Sequence, residues 1–131
     1  PGGGCERTVD FLTIYPTLCE LAGLPVPRHV EGPSAVSLLR DPQAAWAHPA
    51  ITTHGYLNHT VRNEQWRYIR YADGGEELYD EGNDPYEWTN LAGKEQQAVV
   101  KQELAGFLPK QNKPPAGIKS GGKKRKAAED E

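Results

Sequence analysis

The residues best suited to chemistry lie in one run, Thr53-His54-Gly55-Tyr56-Leu57-Asn58-His59-Thr60-Val61-Arg62. His54, His59 and Arg62 offer hydrogen-bond donors and positive charge, and Gly55 lets the backbone come close to a ligand. Such a set suits an anionic group, because hydrogen bonds between a cationic donor and an oxyanion are strong and directional. A plainer reading stands beside it. The two histidines can be half-exposed residues at strand ends, and Arg62 can pair at the surface with an acid such as Glu64 or Asp80.

Other groups with chemical potential carry less. His29, His48, His54 and His59 follow no zinc-ligand spacing and have no carboxylate partners placed nearby, so no metal is expected here. Cys5 and Cys19 are too few for a disulfide scaffold and read as two unrelated thiols, with Cys19 packed as a small hydrophobe; a bridge between them is the lesser alternative. Trp66, Tyr68, Tyr71, Tyr79 and Trp88 could form a sugar-stacking platform, but core or interdomain packing is favoured. Asn58-His59-Thr60 matches a glycosylation sequon, a match common by chance. Lys123-Lys124-Arg125-Lys126 could bind nucleic acid, yet Glu129-Asp130-Glu131 follows and largely cancels its field. A solvated tail without a nucleic-acid partner is expected.

These residues need elements to position them, and composition bounds what can be built. The chain has 131 residues and no methionine, which predicts a processed chain or a fragment of one domain at most. Its net charge of −3 is unevenly spread: residues 109–131 hold seven basic and three acidic side chains, a net of +4, leaving −7 on residues 1–108. No apolar run approaches the ~18 residues needed to cross a bilayer, so no membrane partner is expected. The start, PGGGCERTVD, lacks the apolar segment of a signal peptide, which says nothing of a parent's destination.

A first helix is predicted over 14–22. Thr13 can cap it, Pro16 can sit in its first turn, and Ile14, Leu18 and Leu21 recur at helical spacing. Gly23 suits its C′ position, and Pro25 and Pro27 block continuation. Residues 24–49 are punctuated by prolines, with one turn of helix expected around 34–39 and Val36 and Leu39 facing inward. Residues 50–80 read as antiparallel strands at 50–54, 60–62, 66–71 and 76–79, with turns at Asn63-Glu64-Gln65 and Asp73-Gly74-Gly75. Trp66, Tyr68 and Arg70 point to one side of the clearest strand, and Arg67, Ile69 and Tyr71 to the other. A last helix is predicted over 94–108, with Val99, Val100, Leu104 and Phe107–Leu108 as its apolar stripe and Pro109 as its end. Beyond it, Pro, Lys and Gly leave nothing to pack, and disorder is expected.

The order of several segments resembles a known family. Thr13-Ile14-Tyr15-Pro16-Thr17-Leu18-Cys19-Glu20-Leu21-Ala22-Gly23-Leu24-Pro25 is similar to the DLYPTLLELAGLP helix of sulfatases. Glu31-Gly32 and Ser37-Leu38-Leu39 follow at the family's spacing. Then come Trp66-Arg67-Tyr68-Ile69-Arg70-Tyr71, Glu77-Leu78-Tyr79-Asp80 and Asp84-Pro85-Tyr86-Glu87-Trp88-Thr89-Asn90-Leu91-Ala92. Together they resemble the end of a sulfatase of the iduronate-2-sulfatase-like and choline-sulfatase-like group, in the alkaline-phosphatase-like superfamily, over roughly residues 7–108. This chain departs from the pattern in having Thr13 where Asp is usual and Asp10 where Ser is common.

The resemblance implies an enzyme whose working parts lie elsewhere. Sulfatases make a formylglycine nucleophile from the cysteine of a Cys-x-Pro-x-Arg motif, and their calcium is held by Asp-Asp and Asp-Asn or Asp-His pairs. Cys5 and Cys19 have the wrong neighbours, and the acidic pairs are absent. The expectation is therefore an α+β C-terminal piece: residues 1–49 the end of the large α/β domain and its connecting loop, 50–108 a small antiparallel sheet of about four strands with a packed C-terminal helix, and 109–131 a disordered basic tail. Its partners would be the missing N-terminal domain and a sulfated sugar. His54, His59 and Arg62 would lie on a wall of the substrate pocket, calcium and formylglycine would be supplied upstream, and the parent would be periplasmic or exported. Alone, the chain would be inactive. The alternative is a stand-alone module that binds anionic sugars through His54, His59 and Arg62.

Overall fold

A computed structural model describes residues 3–114. The Lys123–Lys126 cluster and most of the stretch expected to be disordered lie outside the described residues. Four strands form one antiparallel sheet in chain order: β1 (Ala50–Thr53), β2 (His59–Arg62), β3 (Trp66–Arg70) and β4 (Glu76–Asp80). Each turn is closed by a side chain. The Asn63 carboxamide oxygen accepts from the Gln65 and Trp66 N–H groups at 3.0 and 2.7 Å, and an Asp73 carboxylate oxygen accepts from the Gly75 N–H at 2.8 Å.

Tight turns fix the register, and register fixes the faces. Ile51, Val61, Tyr68 and Leu78 stand in one row across the sheet. Val61, Tyr68 and Leu78 are fully buried beneath Leu104 of α3 (Ala98–Ala105), with Trp66, Leu91, Val100 and Leu108 packed around them. The last helix is shorter than expected, because residues 95–97 form a 3-10 turn before it. Its stripe also differs: Val100, Leu104 and Leu108 recur every four residues along one side, while Val99, 76 % exposed, turns away from it.

At the other end of the chain, a 3-10 turn (Phe11–Thr13) leads into α1 (Ile14–Leu21). This turn displaces the expected cap. Asp10, and not Thr13, caps the helical segment, its carboxylate accepting from the Leu12 N–H at 3.0 Å; the Thr13 hydroxyl donates back to the Asp10 carbonyl at 2.7 Å. The C-terminal end follows expectation. Gly23 has φ +66, the Leu24 N–H reaches the Cys19 carbonyl at 2.8 Å, and the Gly23 N–H reaches Glu20 at 3.1 Å. This is a Schellman closure, which a left-handed glycine makes without strain.

Pro16, Thr17 and Cys19 are the buried side of α1. The Thr17 hydroxyl donates to the Thr13 carbonyl at 2.5 Å and accepts from the Ala35 N–H at 2.8 Å, which ties α1 to the start of α2 (Val36–Arg40). In α2, Val36 and Leu38 are buried and Leu39 is exposed, contrary to the expected pair. Residues two apart stand about 200° apart around a helix, so this single turn is covered on two sides and Leu39 is left out. Gly32 explains the Glu31-Gly32 pair: a Cβ there would stand 2.1 Å from the Leu12 carbonyl oxygen, so only glycine fits against that turn. Both cysteines are free, Cys19 buried and Cys5 exposed.

Candidate functional site

Antiparallel register separates the three residues expected to act together. Thr53, His59, Arg70 and Glu76 form one row across the sheet, while Ala50, Arg62 and Arg67 form another at the opposite end. His59 and Arg62 are three apart on one strand, so they point to opposite faces. His54 lies one residue beyond β1 and is exposed, its N–H donating to the Asn58 carbonyl at 3.0 Å.

Arg62 is paired, with a different acid from those expected. Its Nε donates to Glu81 Oε2 at 2.8 Å, while Glu64 instead meets Arg7 at 3.5 Å. Beside it, Arg67 Nη1 contacts both oxygens of Glu87 at 2.8 and 3.0 Å. His59 is only 6 % exposed and both its nitrogens are occupied. Nε2 lies 2.8 Å from Asn112 Oδ1, and Nδ1 lies 2.9 Å from the Thr53 hydroxyl. A carboxamide oxygen only accepts, and the Asn112 amide nitrogen already donates to the Pro109 carbonyl at 3.2 Å. The geometry therefore puts a proton on Nε2, while Nδ1 shares a hydrogen bond with the Thr53 hydroxyl. Asn112 lies in the stretch expected to have nothing to pack, yet it holds the chain against the sheet at least that far.

Around this contact the ends of two hairpins and the segment after α3 form a cleft of about 280 Å³, lined by Leu57, His59, Arg70, Tyr71, Leu108 and Asn112 among others. One side chain joins its two rims. The Asn58 amide nitrogen donates to the His54 and Tyr56 carbonyls at 3.0 and 3.1 Å, and its oxygen accepts from the Ala72 N–H at 3.0 Å. Leu57, between these bonds, is held at φ +64, a left-handed conformation that costs a branched side chain energy.

Below the cleft lies a second polar group. Glu76 accepts from the Tyr68 hydroxyl through Oε1 and from Lys101 Nζ at 2.8 Å through Oε2. The Lys101 and Tyr68 hydrogen bonds hold the Glu76 carboxyl below its ordinary value. Burial, and then the bond to Glu76, pushes the Tyr68 phenol well above its usual range. On the other face, burial and then the bond to Glu77 push Tyr79 up to about 12. All these shifts favour the charge state each group already has at neutral pH. None of these three shifts makes a poised base or nucleophile at neutral pH, and the arrangement offers groups that can bind and orient.

Among the described residues no three His, Cys, Asp or Glu side chains converge, and neither cysteine sits in a Cys-x-Pro-x-Arg sequence, so the described residues do not fit the calcium or formylglycine that the resemblance implies. Trp88 lies outside this chain's core: it is exposed, stacked on Tyr86 with ring centroids 5.3 Å apart, because the loop reverses at Glu87 (φ +55), whose carboxylate is held by Arg67.

The sequence reading missed Arg70 and Asn112. Arg70 was legible in principle: alternation along β3 puts it beside Tyr68, and pairing of short hairpins puts it opposite His59. Asn112 left no local signal, since its contact spans 53 positions.

The chain has clear relatives. The family model for N-sulphoglucosamine sulphohydrolase, C-terminal, matches residues 2–113. A sulfatase of Formosa agariphila is 40 % identical over 111 residues, which cover 85 % of this chain and 22 % of that protein. A Delta 4,5-hexuronate-2-O-sulfatase of Bacteroides thetaiotaomicron is 37 % identical over 110 residues, 77 % of this chain and 23 % of that protein. Among solved structures, BT4656 in complex with its substrate D-glucosamine-2-N,6-O-disulfate superposes with a TM-score of 0.59 at 28 % identity, over 71 % of this chain and 22 % of that one. The chain thus spans about a fifth of the length of the proteins it matches.

Proposed function

The chain belongs to the N-sulphoglucosamine sulphohydrolase C-terminal family, and on that premise we propose that it is the C-terminal portion of a sulfatase acting on sulfate esters of carbohydrate. The observation that carries this reading is the match over residues 2–113 to about a fifth of each relative, with sulfatases among those relatives. The nucleophile and calcium of such an enzyme would come from the other four-fifths. This chain's part is a wall of the substrate pocket, with His54 on the exposed loop of that wall and His59 holding it from beneath. Arg62, its charge already met by Glu81, steadies the far end of β2.

A face on the N-terminal segment supports a larger partner. Phe11, Leu12, Ile14, Leu18 and Leu21 are all more than half exposed, side by side on one turn and one helix. An apolar stripe of this kind belongs against another surface, and we assign it to the upstream domain.

The test compares two proteins. The 131-residue chain, assayed with an aryl sulfate and calcium, is expected to show no turnover above background. The longer protein that carries it is expected to hydrolyse a sulfated sugar. Turnover by the short chain, or none by the long one, overturns the reading.

A further inference from the structure

Taking the sulfatase reading as its frame, we propose that the cleft between the two hairpin ends is a subsite for the acidic group of a sugar ring, and that Arg70 is the residue that selects it. The acidic group is a carboxylate or a sulfate, both of which present oxygens that a guanidinium fork can meet with two hydrogen bonds.

Three observations converge on this cleft. The first is charge. Arg70 ends β3, is exposed, and lines the cleft, yet among the described residues its guanidinium makes no hydrogen bond or ion pair. Its cross-strand neighbour is Glu76. That carboxylate spends one oxygen on the Tyr68 hydroxyl and the other on Lys101, which also donates to the Ala92 carbonyl at 3.1 Å. Arg70 acts on this carboxylate through space, helping to lower it, but makes no hydrogen bond to it. Arg62 and Arg67, by contrast, are each satisfied by a glutamate.

The second is shape. At about 280 Å³ the cleft lies near the lower end of small-molecule pockets, with Leu57, Leu108 and Pro109 as apolar walls and Arg70 as its cation. One face offers contacts for the C–H surfaces of a ring, and the other offers a cation.

The third is rigidity. Asn58 bolts one rim to the other, Leu57 is kept in a strained conformation between those bonds, and the His59–Asn112 contact clamps the segment after α3 onto the floor. Strain and polar bonds gathered at the mouth of a cleft keep it open in one shape, which lowers the ordering cost of binding.

The experiment titrates the 131-residue chain with glucuronate, with glucosamine 6-sulfate and with N-acetylglucosamine as the neutral control. The readout is the amide resonances of Leu57, Ala72 and Asn112. Saturable shifts are expected with an acidic sugar and not with the neutral one, and the tighter of the two acidic sugars identifies which group the cleft takes. Arg70→Ala should weaken binding about tenfold or more, Arg70→Lys should fall between it and the parent, and Arg62→Ala should leave it unchanged. The proposal is overturned by no saturable shift with either acidic sugar, by equal binding of the neutral one, or by Arg70→Ala binding as before with its other resonances in place. Turnover by the longer protein is a separate readout. Its absence removes the sulfatase reading and leaves the titration to stand, while turnover with an empty cleft removes only the subsite.

Discussion

His59 and Arg70 face each other across β2 and β3, and their surroundings give them opposite parts. His59 has met all its hydrogen-bonding capacity inside the protein, so its role is to position Asn112 and Thr53. The Arg70 guanidinium has met none of its own among the described residues. Across the ladder from Arg70 is Glu76, whose carboxyl is held below the usual carboxylate range by Lys101 and Tyr68. The sign of its contribution follows. A group whose folded pKa lies below its unfolded one stabilises the fold fully above the unfolded value, and that support is lost as pH falls through the folded value. Chemical denaturation across about pH 5 to 3 should therefore show a decline in the parent that Glu76→Gln lacks. If the variant declines as steeply, the three-way contact is not what lowers this carboxyl.

At the scale of elements, close approach and burial decide more than propensity does. Gly32 lies against the carbonyl of Leu12, in the turn that starts α1. Adding one methyl group there forces backbone apart, and Gly32→Ala should cost about 3 kcal/mol in urea unfolding. Should it unfold like the parent, the approach is looser than described. Leu104 is the one α3 residue buried in the centre of the sheet's core. Leu104→Ala should cost about 2–5 kcal/mol by the same measurement, whereas Val99→Ala, on the outside of the same helix, should be within about 0.5 kcal/mol. The sequence showed an apolar stripe along this helix but not its exact angle. The four-residue recurrence of Val100, Leu104 and Leu108 competes with Val99, and only the sheet beneath selects between them.

Seen whole, the molecule has one closed face and one open one. The sheet is covered by α3, while the stripe from Phe11 to Leu21 is bare. In isolation the chain should self-associate as its concentration rises, and Leu18→Lys should weaken that association by placing a charge in the stripe. Sedimentation velocity measures this; a chain that stays monomeric at high concentration would mean the stripe needs no cover.

The sequence by itself determined the helices, the strands and their turns, because these rest on local chemistry: the glycine at the end of α1, the Asn63 and Asp73 turns, and the alternation along β3. It also determined kinship, through the order of segments from Tyr15-Pro16 to Asn90-Leu91-Ala92. Tertiary structure alone decided which of the candidate residues meet. His54, His59 and Arg62 are close in sequence, but the two-residue period of a strand sends His59 and Arg62 to opposite faces, and register sets their ends apart. The same register carries Arg70, eleven positions from His59, to its side. Asn112, 53 positions away, reaches the ring only because α3 packs across the sheet and returns the chain to the hairpin ends.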